Sequence, residues 1–550
     1  MKKTFYKMIY AAGAVLIASV MPSCDTEALT DLNKNPDAIE YIVPEYAFTA
    51  AVLGSQPGEN YRPLGQGLQY FSSYKEVPAT GDKFYNFGGT NGNFNIYNGT
   101  GPTSNSTNNT IPVSWNRILQ IQSQIPGAEN VNKRAALEII RILAFHQETD
   151  ALGDMPYSEA MKGDDNLKPK YDTQKSIYMA MLTELEAALK SMDPAKPNVF
   201  GNADPYFKGD VAKWKKFGYT LMARLGMRMS DVEPATAKTW VEKAAAGGVM
   251  TSNSDIAYIK YANVSGQMNP RVVTYINGDF TSPGGDNVEG SKWAAKFIDH
   301  LKATNDPRLP VISVVWEPNG AGGYTANNTP AVQRGMVNGS INTKPTDFDT
   351  YSEPSLLYID RGSPIITMGP AEAWLILAEG AARGWNVGTT ASAAYANGVR
   401  AAMAQWALWP TVGVHNGNIS TAAVDAYLAA NPYLVAGTFT QQLEQISTQK
   451  WVSMLGDDYE IWSNWRRTKF PVFNYANWTN TAGQKVSYPG NVTAGKMWRR
   501  FSLPLSERNT NETNYFEAIK RQNFSEETVD LLQGRMWWDV GPGTGQSNTN

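Results

Sequence analysis

The sequence predicts an all-α protein: a degenerate tetratricopeptide-type helical scaffold carrying long loops and a few short strands. Three observations predict it. Apolar residues recur at helical spacing in serial segments along most of the chain. Strand-like runs are few and short, at 256–261, 311–316 and 355–360. Polar, glycine-rich stretches separate the helical segments, and no repeat of fixed period is present, so the repeat is degenerate.

The chain opens on Lys2, Lys3 and Lys7, followed by an apolar run over 8–21 and then Met21, Pro22, Ser23 and Cys24. A positive start, a short apolar core and small residues make a secretory signal peptide. The run is shorter than the roughly 20 residues a spanning helix needs. Cys24 is the only cysteine. At a cleavage point it marks a bacterial lipoprotein, whose sulfur accepts the lipid and becomes residue one of the mature chain. The alternatives are an ordinary signal peptide with an incidental cysteine, or a short anchor. The expected organisation is a lipoprotein signal peptide at 1–23, a lipidated tether at 24–40 and a ligand-binding domain at 41–550.

The first helix is expected over 44–54, with Pro44 in its first turn. Segment 114–149 reads as two helices broken near Pro126-Gly127. Over 173–190, Thr173 can cap, and Ile177, Met181, Leu182, Leu185 and Leu189 fall on one face. Further helices are expected at 210–230, 235–247, 291–304, 370–383, 390–406, 438–455 and 511–522. Between them lie polar loops at 78–112, 263–290, 317–350 and 471–496. Loops beyond about 15 residues inside a domain are usually functional.

Composition narrows the function. The net charge of −3 forms no basic stripe, which argues against nucleic acid as a partner. Hydrophobic residues at 42% supply a core, so an exported chain without a cysteine pair needs no disulfide. The three histidines, His146, His300 and His415, are far apart and form no metal-binding spacing, so no metal or other cofactor is expected. Ser447 and Lys450 spell the nucleophile motif of penicillin-recognising enzymes, but its partner motifs are missing. The acidic run Asp457-Asp458-Tyr459-Glu460 lacks the pattern of a calcium loop and reads as a helix N-terminus. No catalytic residues are assigned.

The chain holds 16 Trp, 27 Tyr and 19 Phe, and many of these rings fall in polar loops. Sugars present an apolar C–H face and a rim of hydroxyls, so rings beside asparagines suit them. Stacking contributes about 0.5–1.5 kcal/mol beyond area burial. Three such platforms with polar contacts would total about 5–7 kcal/mol, a sub-millimolar to micromolar affinity suited to capture and release. The candidate glycan contacts are Tyr74, Tyr85, Asn91, Phe94, Tyr97, Trp316 and Tyr324. On this reading, Trp316→Ala weakens sugar binding and leaves melting almost unchanged.

Several ordered motifs carry a family resemblance. They include LNKNPDA at 32–38, DALGDMPYSEA at 150–160, NDPRLP at 305–310 and PIITMGPAEAWLILAEGAARG at 364–384. AYANGVRAAM at 394–403, QKWVSM at 449–454, YEIWSNWRRTKFP at 459–471 and RMWWDV at 535–540 follow in order. The chain resembles the SusD/RagB family of outer-membrane nutrient-capture lipoproteins of Bacteroidetes, in its SusD-like 2 branch. Met155, Gly380 and Leu503 depart from the usual residues of those motifs. The resemblance implies a non-catalytic, surface-facing, lipid-anchored protein of the outer membrane. It would hand an oligosaccharide to a SusC-like TonB-dependent transporter, for which it acts as a lid. It implies two regions for ligand contact, 70–97 and the surroundings of Trp316 and Tyr324. A peptide ligand, as for RagB-like members, and a surface glycoside hydrolase are the rival readings.

Overall fold

Helices α1 (Pro44–Gly54), α2 (Val131–Leu152), α3 (Gln174–Ser191), α4 (Val211–Arg228) and α5 (Pro234–Gly247) form the first half of a helical scaffold. They belong to a computed structural model that describes residues 43–56, 64–75, 118, 121–160, 162, 166–273, 280, 290–339, 344–413, 415–473, 497–501, 503, 505–524 and 532–540. Their starts are set by caps. The Thr173 hydroxyl accepts the Ser176 N–H at 3.1 Å, as the sequence suggested. Asp210 accepts the N–H groups of Ala212 and Lys213 at the head of α4. Helix α2 packs on α3, α3 on α4, and α4 on α5. Gly218 lets α4 approach closely, because a Cβ there would lie 2.5 Å from Leu189 Cδ2 and 3.2 Å from Ile139 Cδ1.

The middle of the chain supplies the strands. Strand β1 (Phe71–Ser73) pairs antiparallel with β3 (Ser291–Trp293), and β2 (Ala257–Ile259) with β7 (Ile365–Met368). Helix α6 (Ala295–Ala303) follows β3 directly, so the expected helix at 291–304 begins as a strand. Strand β4 (Ser313–Pro318) lies between β5 (Tyr324–Asn327) and β6 (Glu353–Pro354). The expected loop 317–350 thus contains half of a hairpin. The expected strand at 355–360 is a turn. Its Ser355 hydroxyl donates to the Val311 carbonyl at 2.6 Å and accepts the Tyr358 N–H at 3.2 Å, which bends the chain away from the sheet.

Helices α7 (Pro370–Ala382), α8 (Ala391–Ala404), α9 (Thr421–Ala430), α10 (Phe439–Ser453), α11 (Asp458–Thr468) and α12 (Glu512–Arg521) complete the scaffold. Helix α7 packs on α8, α10 and α4, and α11 packs on α10 and α2, so late helices close on early ones. Helix α9 was not expected, and α11 was expected only as a helix N-terminus at 457–460, without its extent. In α9 only Val424 and Tyr427 are buried, too few to give a period. In α11 every residue is buried, so no polar face alternates with an apolar one. Among the described residues, no helix is long and apolar enough to cross a membrane.

Candidate functional site

The two regions expected to contact ligand meet in the fold. Strand pairing aligns Ser72 with Lys292 and Val314 with Glu353. Lys292 is fully buried and ion-paired with Glu353. The other Glu353 oxygen accepts the Trp316 indole N–H at 3.1 Å. Burial raises the Glu353 carboxyl, while Lys292 and Trp316 pull it back. The Lys292 ammonium lies 4.2 Å from the Phe348 ring centre, and Phe348 meets Tyr74 edge-on at 5.1 Å. Tyr74 and Trp316 are therefore ends of one chain of contacts running through Phe348, Lys292 and Glu353. Beside it, Tyr351 is partly exposed, with the Arg334 guanidinium 4.3 Å from its ring centre.

Exposure separates the candidates. Tyr324 pairs with Pro318 beside the turn of the hairpin and is 42% exposed, a ring presented to solvent. Tyr74 is 5% exposed and Trp316 9%, so protein covers most of both rings. Tyr85, Asn91, Phe94 and Tyr97 lie outside the described residues, as do Cys24 and the tether. The burial of Trp316 revises the expectation for its substitution. Trp316→Ala should cost about 3 kcal/mol in stability, because a large ring leaves a cavity and Glu353 loses a donor. Urea unfolding of the purified variant checks this.

The buried polar groups of the scaffold are structural. His146 Nε2 lies 3.4 Å from Asp150 Oδ2 and 3.7 Å from Glu460 Oε2, a spacing that a metal ion could use. However, Arg228 Nε already sits 3.2 Å from that Asp150 oxygen, and both Arg228 and Arg224 attend Glu460. Burial would raise the Glu460 carboxyl, but these guanidiniums hold it well below the usual range. A cation there would face two positive charges. Ser447 and Lys450 are both buried within α10, closed to any substrate. Asp457 caps α11 by accepting the Glu460 N–H at 3.3 Å, which agrees with a helix N-terminus.

Sequence reasoning missed a cleft at the head of α7. It encloses about 780 Å³ with its mouth included, and Tyr358, Trp406, Trp409, Met454 and Asp457 are among its lining. The Trp406 and Trp409 rings are 4.4 Å apart between centres at 35°. Their short helical turn is held by Gln405, whose Nε2 donates to the Ser453 carbonyl at 2.8 Å. Gly417 also presses on it: a Cβ there would be 1.8 Å from the Trp406 carbonyl oxygen. The only sequence signal was WALW at 406–409, which sits at the end of a helical segment and carries no motif.

Paired helices closing on one another, with aromatic surfaces gathered at strands and connecting turns, define a helical-repeat binding protein. The chain belongs to the SusD-like 2 family, described as starch-binding and associating with the outer membrane, whose profile matches residues 67–489. Among solved structures, a chitin-binding protein is 26% identical with a TM-score of 0.70, over 90% of this chain and 100% of the other. A Bacteroidetes AC2a SusD-like protein is 23% identical with a TM-score of 0.72, over 91% and 100%. A chitin-binding SusD homologue from Flavobacterium johnsoniae is 23% identical with a TM-score of 0.66, over 90% and 98%. The last two bear on the fold alone. Comparison with curated proteins gives no match.

Proposed function

We propose that this protein is a lipid-anchored, surface-facing glycan receptor of the outer membrane, without catalytic activity, that delivers oligosaccharides to a SusC-like TonB-dependent transporter. The observation that carries the reading is family membership over most of the chain, with starch binding in the family's description. The chitin-binding protein at 26% identity supports a polysaccharide ligand. The exposed Tyr324 ring would stack on a sugar face. Tyr74 and Trp316 would hold the surface beneath it, and the loop residues Tyr85, Asn91, Phe94 and Tyr97 would complete the contact. Cys24 would carry the lipid.

Calorimetric titration of the mature protein with starch- and chitin-derived oligosaccharides tests this. Binding in the sub-millimolar to micromolar range, with no shortened product after long incubation, is the expected result. Product release would overturn the non-catalytic reading, and binding of peptides alone would overturn the glycan reading. Tyr324→Ala should weaken the binding by about 1 kcal/mol with stability unchanged, since an exposed ring gives up stacking but no core.

A further inference from the structure

We propose that the cleft at the head of α7 is a second carbohydrate site, which takes one neutral sugar ring against Trp409 with its hydroxyls on Asp457. The proposal rests on the glycan-binding reading and adds a location that none of the described sequence candidates, Tyr74, Trp316 and Tyr324, lines. Small-molecule sites combine apolar walls with a few placed polar groups, and the lining of this cleft has both.

The walls are aromatic. Trp406 is buried, while Trp409 is partly exposed and leans against it. Tyr358 continues the row, 6.2 Å from Trp406 between ring centres. Trp409 is thus backed by a second ring, Trp406, whose backbone Gly417 approaches closely, and a platform so backed loses little freedom on binding.

The polar group is Asp457. Its side chain is 10% exposed, and it lines the cleft. One oxygen accepts the Glu460 N–H at 3.3 Å. Among the described residues, the other has only the Arg224 guanidinium at 3.9 Å, beyond hydrogen-bond reach. This oxygen borders the cleft, where a ligand hydroxyl can donate to it. Burial pushes this carboxyl up to about 6, against the pull of Arg224, so at neutral pH it is an ionised acceptor suited to hydroxyl groups.

Charge selects the class of ligand. Glu372 is held by Arg224 through two bonds of 2.7 and 2.6 Å, and Arg271 donates to the Gly456 carbonyl at 2.7 Å. The lining thus carries Arg271, Glu372 and Asp457, and Arg224, outside the lining, offsets the Glu372 charge. An ionic ligand meets no net opposite charge, whereas a neutral ring with an apolar face and a hydroxyl rim satisfies both the indole and the free oxygen.

The test uses the mature protein with maltose, cellobiose and N,N′-diacetylchitobiose as probes, read by tryptophan emission and by calorimetry. At least one sugar should shift the emission of the native protein. Trp409→Ala should abolish that shift and Trp409→Phe should retain binding. Asp457→Asn, which still caps α11, should weaken it about tenfold or more, the range for a bond to a charged acceptor. In calorimetry, Trp409→Ala should leave unchanged the binding that Tyr324→Ala weakens. If the protein binds sugar and neither Trp409→Ala nor Asp457→Asn changes affinity or stoichiometry, the cleft proposal falls and the receptor reading stands. If the native protein binds no glycan by either readout, the receptor reading itself falls.

Discussion

Replacing Arg467 with methionine will destabilise the protein by about 3–5 kcal/mol, because one half of a buried ion pair is left without its partner. Arg467 and Glu379 are each 1% exposed at the side chain. They join α11 to α7 through two parallel bonds of 2.6 and 2.7 Å. The guanidinium also donates to Ser230 at 2.9 Å, and Arg383 reaches the same carboxylate at 2.9 Å while pairing with Asp231 at 3.0 Å. Glu379→Gln should act in the same direction. A double change to apolar residues should recover much of the loss, since no charge is then stranded. Urea midpoints of the single and double variants decide the matter.

The same pair sets a pH dependence. Burial alone would raise the Glu379 carboxyl, but Arg467 and then Arg383 bring it down to about 2. A carboxyl lowered on folding contributes stability that is complete above its ordinary value of about 4.5 and is lost as pH falls toward 2. The contribution is roughly 3 kcal/mol. Acid unfolding of the native protein should steepen across that window, and the apolar double variant should lack this component.

Replacing Cys24 with alanine will move the protein from the membrane fraction to the soluble one with its glycan affinity unchanged. The proposed anchor supplies the membrane affinity: each buried CH₂ contributes about 0.8 kcal/mol, and stable attachment takes more than a single chain. The described helices offer no spanning segment to replace it. Fractionation of cells expressing the variant, followed by titration of the recovered protein, reads both outcomes. Retention in the membrane would move the anchor elsewhere in the chain.

Much of the scaffold was legible because its helices are amphipathic and capped. Thr173 and Thr438 lie where a hydroxyl precedes a periodic apolar run, and both accept a first-turn N–H. Helix α11 escaped periodic analysis for the opposite reason. Its arginines and carboxylates are turned inward, so pattern and burial no longer correspond. The candidate glycan contacts were chosen by residue type, which does not report exposure. Tyr324 and Trp316 lie on adjacent strands and differ in that one ring faces water and the other an internal glutamate. The Trp406–Trp409 cleft depends on Asp457, some fifty residues further along the chain, and on a close approach at Gly417. Sequence spacing does not encode such a meeting.

The inward-turned charges have a consequence for how the molecule comes apart. Helical repeats that touch only their neighbours can fray from an end, one pair at a time. Here Arg228 of α4 reaches Asp150 of α2 and Glu460 of α11, and Arg224 of α4 reaches Glu372 of α7. Trp538, near the chain's end, donates to Asp150 at 3.0 Å. Detaching any one pair would strand a charge that belongs to another. Partial opening is therefore penalised almost as heavily as complete opening, which would suit the proposed display outside the cell, where a loosened repeat is a protease site and no chaperone dependent on ATP is at hand.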